Sequence, residues 1–79
     1  MAQEISIQEL NTVFQKVFRD ESLEIDLNWS ADNIEAWDSV THMRLIAEVE
    51  SVFRVEFSYL EVMKLNTIGD LLQLINKHK

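Results

Sequence analysis

An all-α bundle of four helices is the fold class that this sequence predicts, and three observations predict it. The 79 residues include no proline and one glycine, with 47% hydrophobic residues. That composition suits helices joined without elaborate turns and argues against a disordered tail or a sandwich of short strands. Apolar residues recur at intervals of three and four along most of the chain. Helix starts are marked by capping signatures, Ser6-Ile7-Gln8-Glu9 and Ser58-Tyr59-Leu60-Glu61, and by Thr67 with Asp70 in the turn that follows. The length allows one domain, residues 1–79, and a domain so small buries only about 60% of its unfolded surface, so its core must be economical.

Residues 1–4 carry little information and are expected to fray. The first helix is expected near 7 to 19. Ser6 bonds forward, Glu9 bonds back, and Ile5 can pack on Leu10 as a hydrophobic staple. Leu10, Phe14, Val17 and Phe18 share a core face, while Gln8, Asn11, Gln15 and Arg19 fall mostly on the other side.

From Asp20 to Trp37 the periodicity breaks and polar residues dominate. Loops of this length without their own structure are uncommon in compact domains and are usually functional or pinned by packing. The scattered Leu23, Ile25, Leu27, Trp29, Ile34 and Trp37 predict pinning, with Ile34 and Trp37 reaching the bundle. A short helical turn fits Ala31 to Ile34, capped by Ser30. Asp26, Asn28 and Ser30 alternate as in a calcium-binding loop. The sixth and twelfth places, which need glycine and a bidentate glutamate, hold Ala31 and Trp37, so no calcium site of that type is expected.

The second helix is expected at 39 to 53, capped by Asp38. Met43, Leu45, Ile46, Val49, Val52 and Phe53 form a broad apolar arc that implies more than one neighbouring helix. The opposite strip carries Thr41, Arg44, Glu48 and Ser51, bordered by Val40 and Ala47. A short third helix at 59 to 64 is stapled by Phe57 and Val62. The last helix, 68 to 77, repeats Ile68, Leu71, Leu72 and Ile75 on one face, tolerates Gly69 near its end, and places Lys77, His78 and Lys79 at its negative pole. Phe14, Val17, Ile46, Val49, Phe53, Leu65, Ile68, Leu72 and Ile75 should be largely buried.

The net charge of -7 is unevenly spread. Residues 20 to 38 hold seven acids and no lysine or arginine, while acids and bases cancel elsewhere. Such a field repels nucleic acid and anionic membrane and favours partners with basic surfaces. The absence of cysteine rules out disulfides, cysteine-based zinc sites and a cysteine nucleophile, and is compatible with a reducing cytoplasm. Without a signal-peptide pattern or a run of about 18 apolar residues, the chain is expected to be soluble and not exported by that route; a cytoplasmic location and a monomeric state are the accompanying expectations.

The candidate functional stretch is Trp37-Asp38-Ser39-Val40. With Asp38 as the cap, Ser39 becomes the first helical residue, its hydroxyl free at the positive end of the helix, where an attached phosphate would be stabilised. W-D-S-V with its following helix resembles the prosthetic-group attachment site of acyl carrier proteins, whose usual form is D-S-L opening the second helix. The resemblance extends over nearly the whole chain. It takes in the helix spacing, the long acidic connection, and the ending F-S-Y-L-E-V-M-K-L-N-T-I-G-D-L-L-Q-L-I.

That resemblance implies an acyl-carrier-like bundle with three longer helices and a short third one. It implies a carrier, not an enzyme, with no resident metal. A phosphopantetheinyl transferase would move 4'-phosphopantetheine from coenzyme A onto Ser39, and Asp38 matches the aspartate that helps hold the transferase's metal. Val40, Thr41, Arg44, Ala47, Glu48 and Ser51 match the face that docks acyl-activating and acyl-transferring enzymes through their basic surfaces. Val40 fits the apolar residue expected after the serine. Arg44 departs from an acidic face, which favours a specialised pathway, unless it only pairs with Glu48 one turn on for a few tenths of a kcal/mol.

Other readings compete. W-D-S also occurs in aminoacyl carriers of the D-alanyl type, whereas peptidyl carriers usually have paired glycines where this chain has Ala36-Trp37-Asp38. An unmodified helical interaction module would use the same caps and acidic loop. A small hydrolase could use Ser39 and His42, three apart on one helix, but no glycine-rich turn supplies an oxyanion hole and Asp38 is poorly placed to orient His42. His42 is expected at the surface or its boundary, and His78 without a role.

Overall fold

Every helix of this protein starts on a side chain that closes its first turn. The structure, a computed structural model, describes residues 5–78 as α1 (Ile7–Phe18), α2 (Ser39–Phe53), α3 (Tyr59–Met63) and α4 (Ile68–Lys77), with a 3-10 turn at Ala31–Asn33 inside the connection from α1 to α2. The expected fraying of residues 1–4 and the end charge of Lys79 lie outside the described residues. Ser6, Asp38, Ser58 and Thr67 have extended backbones and accept N–H groups from the first turn, and the third helical residue of each reaches back to the cap. Two orphan donors are thereby satisfied at each start. Ser30 caps the 3-10 turn in the same way.

Two helices are one residue shorter than expected, because Arg19 and Lys64 are C-caps. Arg19 (φ 54°) and Arg54 (φ 57°) both end their helices in the left-handed region. The core gathers Leu10, Val13 and Phe14 of α1, Leu45, Ile46, Val49 and Phe53 of α2, and Ile68, Leu71 and Ile75 of α4, joined by Ile5, Ile25, Ile34 and Val55. Both α1 and α4 present one apolar stripe, and α1 packs directly on α2.

The burial expected of Val17, Leu65 and Leu72 is only partial, since all three sit at the margin of the core. The arc expected on α2 is also too wide. Met43 is 61% exposed and Val52 49%, because among the described residues α1 is the one helix packed closely on α2, and burial narrows to the stripe of Leu45, Ile46, Val49 and Phe53.

The long connection is tied down at both ends by hydrogen bonds. On α1, Asn11 donates to the Leu23 carbonyl (3.0 Å) and accepts the Ile25 N–H (2.8 Å), and Gln15 donates to the carbonyls of Glu21 and Leu23 (each 3.0 Å). The polar side of α1 therefore faces the connection as well as water. On α4, the N–H groups of Ile68 and Gly69 donate to the carbonyls of Trp29 and Leu27 (each 2.8 Å), so first-turn donors are satisfied by the connection itself. A Cβ on Gly69 would lie 3.0 Å from the Leu27 oxygen. The glycine is thus what lets the connection approach, a stronger role than tolerance near a helix end. Asn76 closes the fold by accepting the Ile5 N–H at 2.6 Å.

Candidate functional site

The N-terminus of α2 is built from Trp37, Asp38, Ser39 and Thr41, each with its own task. Trp37 is half-buried and packs edge-on to Phe14 (centroids 5.5 Å apart, 77°) and against Phe18 (6.0 Å), which fixes the start of α2 to α1. Asp38 Oδ1 then accepts the N–H groups of Val40 (3.0 Å) and Thr41 (2.9 Å), while Thr41 Oγ1 accepts the Asp38 N–H (2.7 Å) and donates to the Ala36 carbonyl (2.8 Å). The Thr41 N–H is the largest of the influences that hold the Asp38 carboxyl below its ordinary range, joined by the Thr41 hydroxyl and the Val40 N–H.

Ser39 follows as the first helical residue. It is exposed, and among the described residues its hydroxyl takes part in no hydrogen bond. The helix start offers positive potential to an anion at this point. No base engages the hydroxyl. Asp38 holds the cap through Oδ1 and does not bond the Ser39 hydroxyl, and Nδ1 of His42 accepts the indole N–H of Trp37 at 3.1 Å, with the two rings stacked 6.0 Å apart. A serine without a neighbouring base is a weak nucleophile, so the site can present a hydroxyl for modification but does not activate it. A hydrolase built on Ser39 and His42 is therefore not assembled here.

Beyond Ser39, the outer face of α2 exposes Val40 (64%), Met43, Arg44, Ala47 and Ser51. Thr41 and Glu48 are half-buried at its edge. Thr41 is committed to the cap, and Glu48 forms an ion pair with Lys16 of α1 at 2.7 Å instead of with Arg44. A small cavity of about 60 Å³ lies behind the site, walled by Ala31, Trp37, His42, Leu65, Asn66 and Leu71 among others.

Both histidines have partners that escape the sequence reading. His42 is a boundary residue, as expected, but it has a specific partner in Trp37. His78 has a role after all: Nε2 lies 2.9 Å from Glu61 Oε2 and the ring is 5.5 Å from Phe57, tying the end of α4 to α3. The Ser58 N–H, and after it His78, hold the Glu61 carboxyl down to about 2. Among the described residues, no three His, Asp or Glu side chains converge as a metal site, and no helix is long and apolar enough to cross a membrane.

No protein-family model and no curated protein sequence matches the chain. The chain is similar to a holo acyl carrier protein from Geobacter metallireducens solved by solution NMR. The two are 38% identical, the match covers 91% of this chain and 83% of that one, and the TM-score is 0.86.

Proposed function

Since the chain belongs to the acyl carrier protein family, we propose that Ser39 carries a 4'-phosphopantetheine arm on which acyl groups ride as thioesters between partner enzymes. The protein is a carrier and not an enzyme. One observation supports the assignment of the arm above others: Ser39 holds an exposed, unbonded hydroxyl at the first position of α2, directly behind a cap formed by Asp38. When attached, the arm supplies a terminal thiol that exchanges acyl groups.

The chain's own residues hold and present. Asp38 keeps the helix start ordered so that its dipole faces the phosphodiester, and it offers a carboxylate to the metal of a phosphopantetheinyl transferase. Because nothing activates Ser39, that transferase supplies the base that takes the hydroxyl proton, and the Ser39 oxygen bonds to the phosphopantetheine phosphorus of coenzyme A as the pyrophosphate bond breaks and adenosine 3',5'-bisphosphate leaves. Val40, Arg44, Ala47 and Ser51 form the face that meets acyl-activating and acyl-transferring enzymes, with Thr41 and Glu48 fixing its edges. The acids of residues 20 to 38 draw in basic partner surfaces. In this reading the 79 residues act as one monomeric domain in the cytoplasm. Trp37 before Asp38 is shared with aminoacyl carriers of the D-alanyl type, which makes an aminoacyl group the second choice of cargo.

The test is intact mass after incubation with coenzyme A and a broad-specificity phosphopantetheinyl transferase. One added phosphopantetheinyl group, mapped to Ser39, is expected. Failure of several such transferases on the folded protein would favour an unmodified interaction module.

A further inference from the structure

One groove of this acidic protein carries the opposite charge. It lies between the C-terminal half of α1 and the middle of α2, has a volume of about 360 Å³, and is lined by Lys16, Val17, Arg19, Arg44, Ala47 and Glu48. Three of the chain's seven lysines and arginines thus stand around a single carboxylate, in a chain with 14 acids. Lys16 and Glu48 neutralise each other at 2.7 Å. Arg19 and Arg44 remain, both exposed, and among the described residues neither has an ion-pair partner. Asp20, next to Arg19, is turned away onto the N–H and hydroxyl of Ser22 (3.0 and 2.6 Å). Arg19 also occupies the left-handed C-cap of α1 (φ 54°, ψ 44°), a position that glycine fills with least strain.

We infer that this groove, which borders the α2 docking face and shares Arg44, Ala47 and Glu48 with it, takes a carboxylate-bearing segment of a partner protein, with Arg19 and Arg44 pairing with its Asp or Glu side chains. The inference rests on the carrier reading above and gives the partner a chemistry: a basic area facing residues 20 to 38 and an acidic area facing the groove. Guanidinium groups match carboxylates with two parallel hydrogen bonds, which suits them to this task. Neighbouring patches of opposite sign admit one orientation, because a partner turned over would bring like charges together. A second copy of this chain is disfavoured as the occupant, since each copy has a net charge of -7 and repels the other. Nucleic acid and anionic lipid are disfavoured by the same field.

The probes are two peptides, hexaglutamate and hexalysine, titrated at low salt into isotope-labelled protein while backbone amide shifts are followed. Hexaglutamate is repelled by the molecule as a whole, so it should shift residues 16–19 and 44–48 saturably and leave the surroundings of Arg54, Lys64 and Lys77 unmoved. Hexalysine should move residues 20–38 instead. In the double variant Arg19→Gly, Arg44→Gln the hexaglutamate affinity should fall about tenfold or more. Arg19→Gly relieves the backbone and Arg44→Gln keeps a good helix former, so the variant should fold. Absent shifts, equal shifts around the other cations, or an unaffected double variant would overturn the proposal. So would a dimer, seen by sedimentation, that Arg44→Gln abolishes, because it would assign the groove to a second copy. The titration uses the unmodified protein and so fails or succeeds independently of Ser39. A chain that binds hexaglutamate but resists phosphopantetheinylation would defeat the carrier reading alone.

Discussion

The indole N–H of Trp37 donates to Nδ1 of His42 across 3.1 Å while the two rings stack 19° from parallel. An indole nitrogen can only donate, so this bond needs His42 neutral, with its proton on Nε2.

Protonation of His42 should therefore loosen the start of α2. Burial lowers the pKa of His42 below its ordinary value of 6.5. A group with a folded pKa below its unfolded one binds fewer protons when folded. Its contribution to stability is complete above pH 6.5 and is lost as pH falls through the folded pKa. Unfolding midpoints measured as pH is lowered from neutrality should decline below pH 6.5 in the wild type and stay level over the same window in His42→Phe, which keeps a ring on Trp37. In a Trp29→Phe background, Trp37 emission should change with the same midpoint. An identical pH profile in wild type and variant would show that the pair contributes nothing.

The caps were legible in the sequence because each is local: Ser6, Asp38, Ser58 and Thr67 need only the residue three places on. Trp37 was legible as an anchor because it is a large apolar residue in an acidic stretch. Its hydrogen bond to His42 was not, since the bond depends on where the connection lays the indole over α2. The same holds for Glu48, for which the i, i+4 rule favours Arg44 but which instead meets Lys16 on the next helix. The limits of the α2 arc at Met43 and Val52 depend on which helix packs on α2, and the role of Gly69 depends on the path of residues 27 to 29. Helix periodicity reports none of these.

Phe14 links the core to the site. It is fully buried and packs against both Phe18 and Trp37. Phe14→Ala should cost about 3–5 kcal/mol by leaving a cavity, a large share of a small domain's stability. Trp37 loses its wall at the same time, so its emission should shift to the red even under conditions where the variant remains folded. A loss below about 1 kcal/mol would mean that the site collapses around the gap.

Gly69→Ala sets two effects against each other. Alanine gains less than the ~1 kcal/mol of a helix interior, because Gly69 is the second residue of α4, while its Cβ would sit 3.0 Å from the Leu27 backbone oxygen, which cannot rotate away. Overpacking costs about 1–3 kcal/mol, so a net loss is expected, with faster proteolysis within residues 20 to 38. A stabilised variant with an unchanged cleavage pattern would show that the connection yields at no cost.

Asp38 combines two tasks that substitution can separate. Its carboxylate caps α2 through the N–H groups of Val40 and Thr41, and in the proposed function it places a negative charge beside Ser39 for the transferase's metal. Asparagine caps helices about as well as aspartate, whereas alanine loses the cap at a cost of about 0.5–2 kcal/mol. Asp38→Asn should therefore unfold within about 0.5 kcal/mol of the wild type yet acquire the phosphopantetheinyl group more slowly. Asp38→Ala should be both less stable and slowly modified, and Ser39→Ala should keep its helicity and never gain the group. The hydrogen bonds that lower the Asp38 pKa add a pH signature: the contribution of the charged cap is present above its ordinary value of 3.8 and is lost as pH falls through the folded pKa, a decline absent from Asp38→Asn. Wild-type modification rates in Asp38→Asn, with slow modification only in Asp38→Ala, would mean that this carboxylate serves the helix alone and that the transferase finds its metal ligands elsewhere.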